Sequence, residues 1–489
     1  MKYVSNVIKL EDIEQWNKDD IILIKSPTGS GKSHFVKYIL SEYCRINNKT
    51  ILLLTNRDIL KEQNIKELSK QNNTIINIMN YQQIEYALMN GKEIIPYDII
   101  VADETHYFFL DSTFSRKTDI SFNWVINHSS LKILLSATCN ILEEYLEIEN
   151  IKPIKYEIKP NYSYINDFYF YYNNDVLEKL LTEIPEGEKV IYFTGAKRAY
   201  EMSNKFDNAK FICSKHSKLY AQYSDEDERK NIIENEKFNC QILCCTSVLD
   251  NGINIKDKLV KHIIIDIFDL DILQQCIGRK RILDEHDKIN IYIKDRKGRS
   301  LNTRINFNND KLAQAKYLEN NSEVKFLSEY KKETIGDMID VINSGNGVTL
   351  KINEIMHFKY LYENNLCKYM LENEDSEGYI DEVMKRFQKM GDTIFMLEDF
   401  YDEITLEYKL NELVGVKMFK DEQNNFKEFL MKELLNAPKA NHGSVGLKTI
   451  NSLFEEYQVN YRITSDKENS RKSKNYKKTF WMVIKLIED

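Results

Sequence analysis

A chain of 489 residues is too long for a single core, and 42% hydrophobic with 29% charged residues is the composition of a globular protein of roughly three domains. No stretch reaches the roughly 20 uncharged apolar residues of a membrane helix, and MKYVSNVIKLEDIEQWNKDD holds neither a long apolar run nor a small-residue cleavage site, so a cytoplasmic protein is expected. A net charge of −8 excludes a chain that is basic overall and leaves nucleic acid to a locally basic groove.

Between residues 20 and 150 the short apolar runs IILIKS, TILLLTN, TIINIM, DIIVAD and KILLSAT alternate with segments long enough to return as helices. That alternation predicts a parallel sheet covered on both faces. KPIKYEIKPNYSY, with two of the six prolines, then reads as a linker. A second series follows: DFYFYY, KVIYFTG, KFICS, QILCCTS, KHIIIDIF and INIYIKD. After about residue 308 strands are expected to disappear, and NFKEFLMKELL places Phe426, Phe429, Leu430 and Leu434 on one helical face. The end of the chain reads as a helix, a strand, a basic loop and a return strand. The loop holds Lys467, Arg471, Lys472, Lys474, Lys477 and Lys478 against Asp466 and Glu468, which suits a winged-helix wing gripping phosphates or a solvated hairpin. Phe480 and Trp481 in the return strand are expected in the core.

The eight cysteines, scattered through apolar runs, lack the paired short spacing or histidine partners of a zinc site, so buried free thiols are expected.

The chemistry concentrates in three places. SPTGSGKS lies at a strand-to-helix turn, where backbone N–H groups and the helix N-terminus converge as they do in a P-loop around a phosphate chain. Gly29 and Gly31 let the backbone approach, Lys32 can neutralise phosphates and the Ser33 hydroxyl can hold Mg²⁺. In DIIVADETH an apolar strand ends in Asp103-Glu104, one carboxylate for Mg²⁺ and one to deprotonate water, with His106 close by. In LQQCIGRKRI, Gln275, Gly278, Arg279 and Arg281 come from the second series and can reach a γ-phosphate across a cleft.

Together these residues resemble the superfamily 2 helicases of the DExH-box type. SPTGSGKS looks like their motif I, with Pro27, Thr28, Gly29, Ser30, Gly31, Lys32 and Ser33 as the ATP-binding stretch. LLLTNRDILKEQ is similar to motif Ia, which implies nucleic-acid contacts by Thr55, Asn56 and Arg57; IMNYQQIE implies the same for Tyr81 and Gln82. DETH is similar to motif II, and LLSATC to motif III, so the resemblance gives His106, Ser136 and Thr138 a coupling role. VIYFTGAKRA (motif IV) implies a strand contact by Thr194. CCTSVLDNGINI (motif V) implies another by Thr246, with Gly252 and Asn254 facing nucleotide. QQCIGRKR (motif VI) places Gln275 on nucleotide and Arg279 or Arg281 as the finger. The likeness covers roughly residues 20–295, with the motifs in family order.

It implies two tandem RecA-like α/β parallel-sheet domains, then a mainly α-helical C-terminal region with a winged-helix-like end. The expected boundaries are 1–158, 159–300, 301–438 and 439–489. The implied activity is an ATP-dependent, Mg²⁺-requiring helicase on single-stranded or duplex DNA or RNA. The alternatives are a translocase that remodels complexes without unwinding, and a nucleic-acid-binding subunit with a lapsed ATPase. Three departures stand out. Arg281 follows Arg279 by two residues where the family spaces them by three, Asn254 stands where many relatives have Asp, and no adenine-selecting glutamine motif precedes the loop (Gln15 has the wrong context). Only 22 residues separate Gly252 from Gln274, too few for the strand-separating hairpin of several relatives.

Overall fold

The computed structural model describes all residues except 1–2, 57–60, 62–63, 66, 70–72, 111–115, 216, 248–253, 331–334, 345–346, 374–377, 436–445, 458, 471–472 and 487–489. It divides into two compact units, one of Met1–Phe168 with Pro185–Thr393 and one of Tyr169–Ile184 with Ile394–Asp489.

In the first unit, β1 (Ile21–Lys25), β2 (Ile51–Thr55), β3 (Ile76–Asn80), β4 (Ile99–Asp103), β5 (Leu131–Ser136) and β6 (Ile154–Glu157) form a parallel sheet in the order β3-β2-β4-β5-β1-β6. Alternate residues serve opposite faces. Ile22, Ile24, Leu53 and Val101 enter one core with Phe35 and Val36, while Leu23, Leu52, Leu54 and Ile100 enter another with Tyr81 and Phe109. Covering both faces is why these strands read as unbroken apolar runs. The segment expected as a linker contains β6, which pairs with β1 through Ile22↔Ile154. Its largely exposed side chains carry no apolar run for a reader to see.

A second sheet is built from β7 (Ile165–Tyr171), β8 (Lys189–Phe193), β9 (Ala209–Ile212), β10 (Ile242–Cys245), β11 (Val260–Ile265) and β12 (Ile289–Lys294), with β7 next to β12. The order β12-β11-β8-β10-β9 is parallel throughout. The chain therefore has the two tandem RecA-like sheets that the motifs imply.

The helices that position the site are six. α1 runs Lys32–His34, through a π-helical turn Phe35–Leu40, to Ser41–Ile46; α2 is Tyr81–Met89, α3 Leu270–Gly278, α4 Gly298–Asn320, α5 Glu354–Glu372 and α6 Tyr379–Arg386. Strands do not disappear after residue 308. β13 (Ile339–Ser344) and β14 (Gly347–Ile352) pair antiparallel. The two residues between them in the sequence are Gly345-Asn346, a hairpin signal, but the flanks, IDVINS and GVTLKI, are too mixed to stand out.

The second unit contains β15 (Ile394–Met396), α7 (Leu397–Leu413), α8 (Lys420–Leu435), α9 (Leu447–Glu456), and the antiparallel pair β16 (Tyr461–Lys467) and β17 (Thr479–Lys485). Its core gathers Leu410, Phe426, Leu430, Phe454, Trp481 and Val483, with Phe429 packed against it. The side chain of Leu434 lies outside those described. Phe480 is buried, as expected.

Candidate functional site

β4, β5 and β1 are adjacent, so their carboxyl ends form one rim, where ligands bind in open α/β sheets. The loop after β1 is tied to this rim by Ser26 N–H, which donates to Ser136 O at 3.0 Å. Gly29 (φ +81°) and Gly31 (φ +82°) adopt the left-handed conformation that favours glycine, and Gly31 caps α1. Lys32 is buried, its Nζ donating to Ser26 O (2.9 Å) and Pro27 O (3.4 Å). Ser33 is exposed. The Oγ atoms of Ser26 and Ser30 are buried without a hydrogen-bond partner among the described residues. The Tyr3 ring lies over the loop, 3.2 Å from where a Cβ on Gly31 would stand, and no sequence pattern signalled it.

At the end of β4, Glu104 has φ +54°, a conformation that costs a residue with a Cβ about 1–3 kcal/mol. Its N–H donates to Asp103 Oδ1 at 3.0 Å. Burial, then the neighbouring charge of Glu104, pushes the Asp103 carboxyl up to about 6. Burial pushes Glu104 the same way. The hydrogen bond and charge of His106, helped by Lys32 and Arg279, outweigh it and hold Glu104 well below the usual carboxylate range. His106 Nδ1 lies 3.3 Å from Glu104 Oε2 and 3.4 Å from Ser136 Oγ. Ser136 Oγ donates to Thr138 O (2.7 Å), and Thr138 Oγ1 accepts from Gln275 Nε2 (2.9 Å). An unbroken run of polar contacts thus joins the carboxylates of the first sheet to α3 of the second.

α3 starts at Asp269, whose side chain caps it by accepting from the N–H groups of Asp271 (2.9 Å) and Ile272 (3.1 Å). Its other end meets the phosphate loop, where Thr28 Oγ1 donates to Gly278 O at 3.4 Å. Arg279 is buried, with Nε unpartnered among the described residues. Arg281 Nε donates to Asn254 Oδ1 at 2.8 Å, and its Nη1 lies 3.4 Å from where a Cβ on Gly29 would be. A cavity of about 1150 Å³ opens between the sheets, lined among others by Thr28, Gly29, Thr138, Asn254, Gln275 and Arg281.

The residues carried over as strand contacts fare differently. Tyr81 is corrected: it is wholly buried, stacked on Tyr107 with centroids 4.6 Å apart, and its hydroxyl donates to Asp103 O at 2.7 Å. It offers a strand no surface and instead braces the end of β4. Thr55 is buried and donates to Asn80 Oδ1 at 3.0 Å, a partner the sequence did not suggest. Asn56 and Thr194 are buried, Thr246 is half-buried and Gln82 is exposed. Arg57 and Gly252 lie outside the described residues. All eight cysteines are free, seven of them buried, and the described residues contain no group of three or more His, Cys, Asp or Glu side chains placed to hold a metal ion. Among them no helix is long and apolar enough to cross a membrane.

Two parallel sheets in tandem, joined through a phosphate-loop-like turn and an arginine-bearing helix, define a two-domain α/β protein of the RecA-like class. The family match narrows this. Residues 173–281 match the helicase conserved C-terminal domain, which bears out the resemblance to superfamily 2 helicases. Among solved structures the chain is similar to S. cerevisiae Dbp5 bound to RNA and ADP BeF3, at 15% identity and TM-score 0.41, over 58% of this chain and 81% of that one. It is also similar to a fragment of a putative HsdR subunit of a type I restriction enzyme from Vibrio vulnificus YJ016, at 15% identity and TM-score 0.41, over 57% of this chain and 60% of that one. No curated protein matches the chain.

Proposed function

We propose that this chain is a nucleic-acid motor that couples ATP hydrolysis to movement along, and unwinding of, DNA or RNA. The observation that carries the reading is the meeting of two half-sites: Arg281 stands over Gly29, and Gln275 is bonded to Thr138. The residues fit a magnesium nucleotide. Two buried serine hydroxyls lack partners on the loop among the described residues, both loop glycines have the φ that phosphate-cradling N–H groups need, and the charge of Lys32, next to the exposed Ser33, acts on both carboxylates.

In this reading Lys32 with the loop from Pro27 to Gly31 holds phosphate oxygens, Ser33 and Asp103 hold Mg²⁺, and Glu104, kept ionised by His106, takes the proton of the attacking water. When bound, Mg²⁺ supplies charge neutralisation between the phosphates. Asn254 presents Arg281 as the finger without cancelling its charge, and such a finger contributes about 10³–10⁵ in rate. The charge of Arg279 also acts on Glu104. Opening and closing of the two sheets would then advance a strand held by Arg57, Gln82 and Thr246, with the buried Asn56 and Thr194 supporting them from behind. The basic β16–β17 hairpin is a candidate winged-helix-like grip.

The test is ATP turnover with single- and double-stranded DNA and RNA as stimulators. At least one is expected to raise the rate, and Lys32→Ala should abolish it. Four inert nucleic acids would sink the motor reading. A second reading, translocation without unwinding, is favoured by one observation: between Ile255 and Leu270 the chain forms only a bridge and β11, with no strand-separating hairpin. A strand-displacement assay beside the ATPase separates the two.

A further inference from the structure

Residues 301–393 carry no helicase motif, yet they touch both halves of the site. α5 is rooted in the first α/β domain. Ile355 is fully buried in the core it shares with Leu134 and Phe109, and Phe358 packs edge-on against Phe109 and Tyr145, with centroids 6.2 and 5.0 Å apart. Just before α5, Asn353 Nδ2 donates to Arg116 O (3.1 Å) and Thr118 Oγ1 (3.2 Å). One turn beyond Ile355, buried Lys359 places Nζ 3.8 Å from the carboxylate of Asp269, the residue that caps α3. At the end of α6, Arg386 donates from Nη1 to Asp271 in the first turn of α3, with side chains only 11% and 6% exposed. Phe387 then seats against Tyr162, with centroids 4.8 Å apart. The junction of α3 with α5 and α6 leaves a cavity of only about 30 Å³, so it is closely packed.

At the start of α3, Asp271 is thus held by Arg386, and Asp269 lies near Lys359, whose Nζ is also 3.7 Å from Glu363 on α5. That start lies about 13 Å, nine residues of helical rise, from the end that bears Gln275 and Gly278 and delivers Arg279 and Arg281. Buried ion pairs contribute little net stability compared with apolar packing; what they add is a fixed geometry. A small tilt at the held end displaces the arginines at the other.

We propose that Arg386 is a positioning residue for hydrolysis: together with Lys359, which α5 carries from the first domain, it holds the start of α3 and so sets where Arg281 stands over the loop Pro27–Gly31. This rests on the ATP-hydrolysis reading above. The experiment therefore starts from wild-type turnover that Lys32→Ala abolishes, and a wild-type chain without turnover overturns both proposals. Given turnover, Arg386→Met should lower kcat tenfold or more, since a displacement of about 1 Å costs on the order of 100-fold, while KM for ATP stays within about twofold. Arg386→Lys, which keeps a cation on Asp271, should recover most of the loss. Asp271→Asn added to Arg386→Met should slow turnover no further. An unchanged kcat in Arg386→Met, or a loss that Arg386→Lys shares in full, overturns the role given to the Arg386–Asp271 contact and leaves the hydrolysis reading standing. If Arg386→Met does not fold, hydrogen exchange on the wild-type chain decides. Adding Mg²⁺ with a β,γ-imido analogue of ATP should protect amides of 379–386 together with those of 270–278, and a change confined to 270–278 overturns it.

Discussion

Gly278 ends α3 where that helix meets the phosphate loop. A Cβ there would stand 2.8 Å from Thr28 Oγ1, so Thr28 would have to move and surrender its 3.4 Å hydrogen bond to Gly278 O. Within the helix alone, alanine is better than glycine by about 1 kcal/mol, so Gly278→Ala should not lower the melting temperature. Overpacking a close contact costs about 1–3 kcal/mol, and this contact lies along the surface by which the arginines approach. The penalty therefore falls on the closed arrangement, and kcat for ATP should drop roughly 5- to 150-fold. Thr28→Ala removes the colliding oxygen. The double variant should turn over within about threefold of Thr28→Ala alone, the margin expected for sites whose contact has been deleted. Steady-state kinetics and thermal melting on the four proteins complete the cycle. A Gly278→Ala chain as fast as wild type, or a double variant as slow as Gly278→Ala, would refute the geometry.

Other perturbations have equally direct outcomes. Lys280 and Asp287 form a wholly buried ion pair, so Lys280→Met should destabilise by about 3–5 kcal/mol in chemical denaturation, and adding Asp287→Leu should recover most of it. Ile355→Ala, which empties a fully buried position in the first-domain core, should cost about 2–5 kcal/mol in the same assay. Asn254→Asp would place a carboxylate on Arg281 Nε and draw its charge away from the phosphates; KM for ATP should rise roughly fivefold, for about 1 kcal/mol, with little change in melting temperature.

Most strands of the two sheets were legible because parallel strands buried on two faces are largely apolar. β6, β13 and β14 were not, because partly exposed strands mix polar with apolar residues. The phosphate loop was legible through its two glycines, which stand where the backbone is left-handed. Tyr81 shows where motif reading stops. Its place after β3 was recognised, but a motif does not say which way a ring faces, and this one faces inward to brace Asp103. The contacts of α5 and α6 with α3 could not be read at all. Arg386 and Asp271 are 115 residues apart, and a charge pair at that separation leaves no periodic trace.

The irregular spacing of Arg279 and Arg281 has its explanation in the backbone. α3 stops at Gly278, and beyond it the chain runs alongside Ile255: Ile255 N–H donates to Arg279 O at 2.9 Å and Arg281 N–H to Ile255 O at 2.8 Å. Arg279 itself keeps helical dihedrals (φ −72°, ψ −32°), and Lys280 pairs with Ile255 as an isolated bridge. The charges of Arg279 and Arg281 both act on Glu104, and Lys280 between them makes a buried pair with Asp287. The other departure belongs to the same local design. Ile255 follows Asn254 directly, so the bridge that straightens the arginine segment also brings Asn254 Oδ1 to Arg281 Nε. A neutral amide there orients the guanidinium and leaves its charge for the phosphate loop.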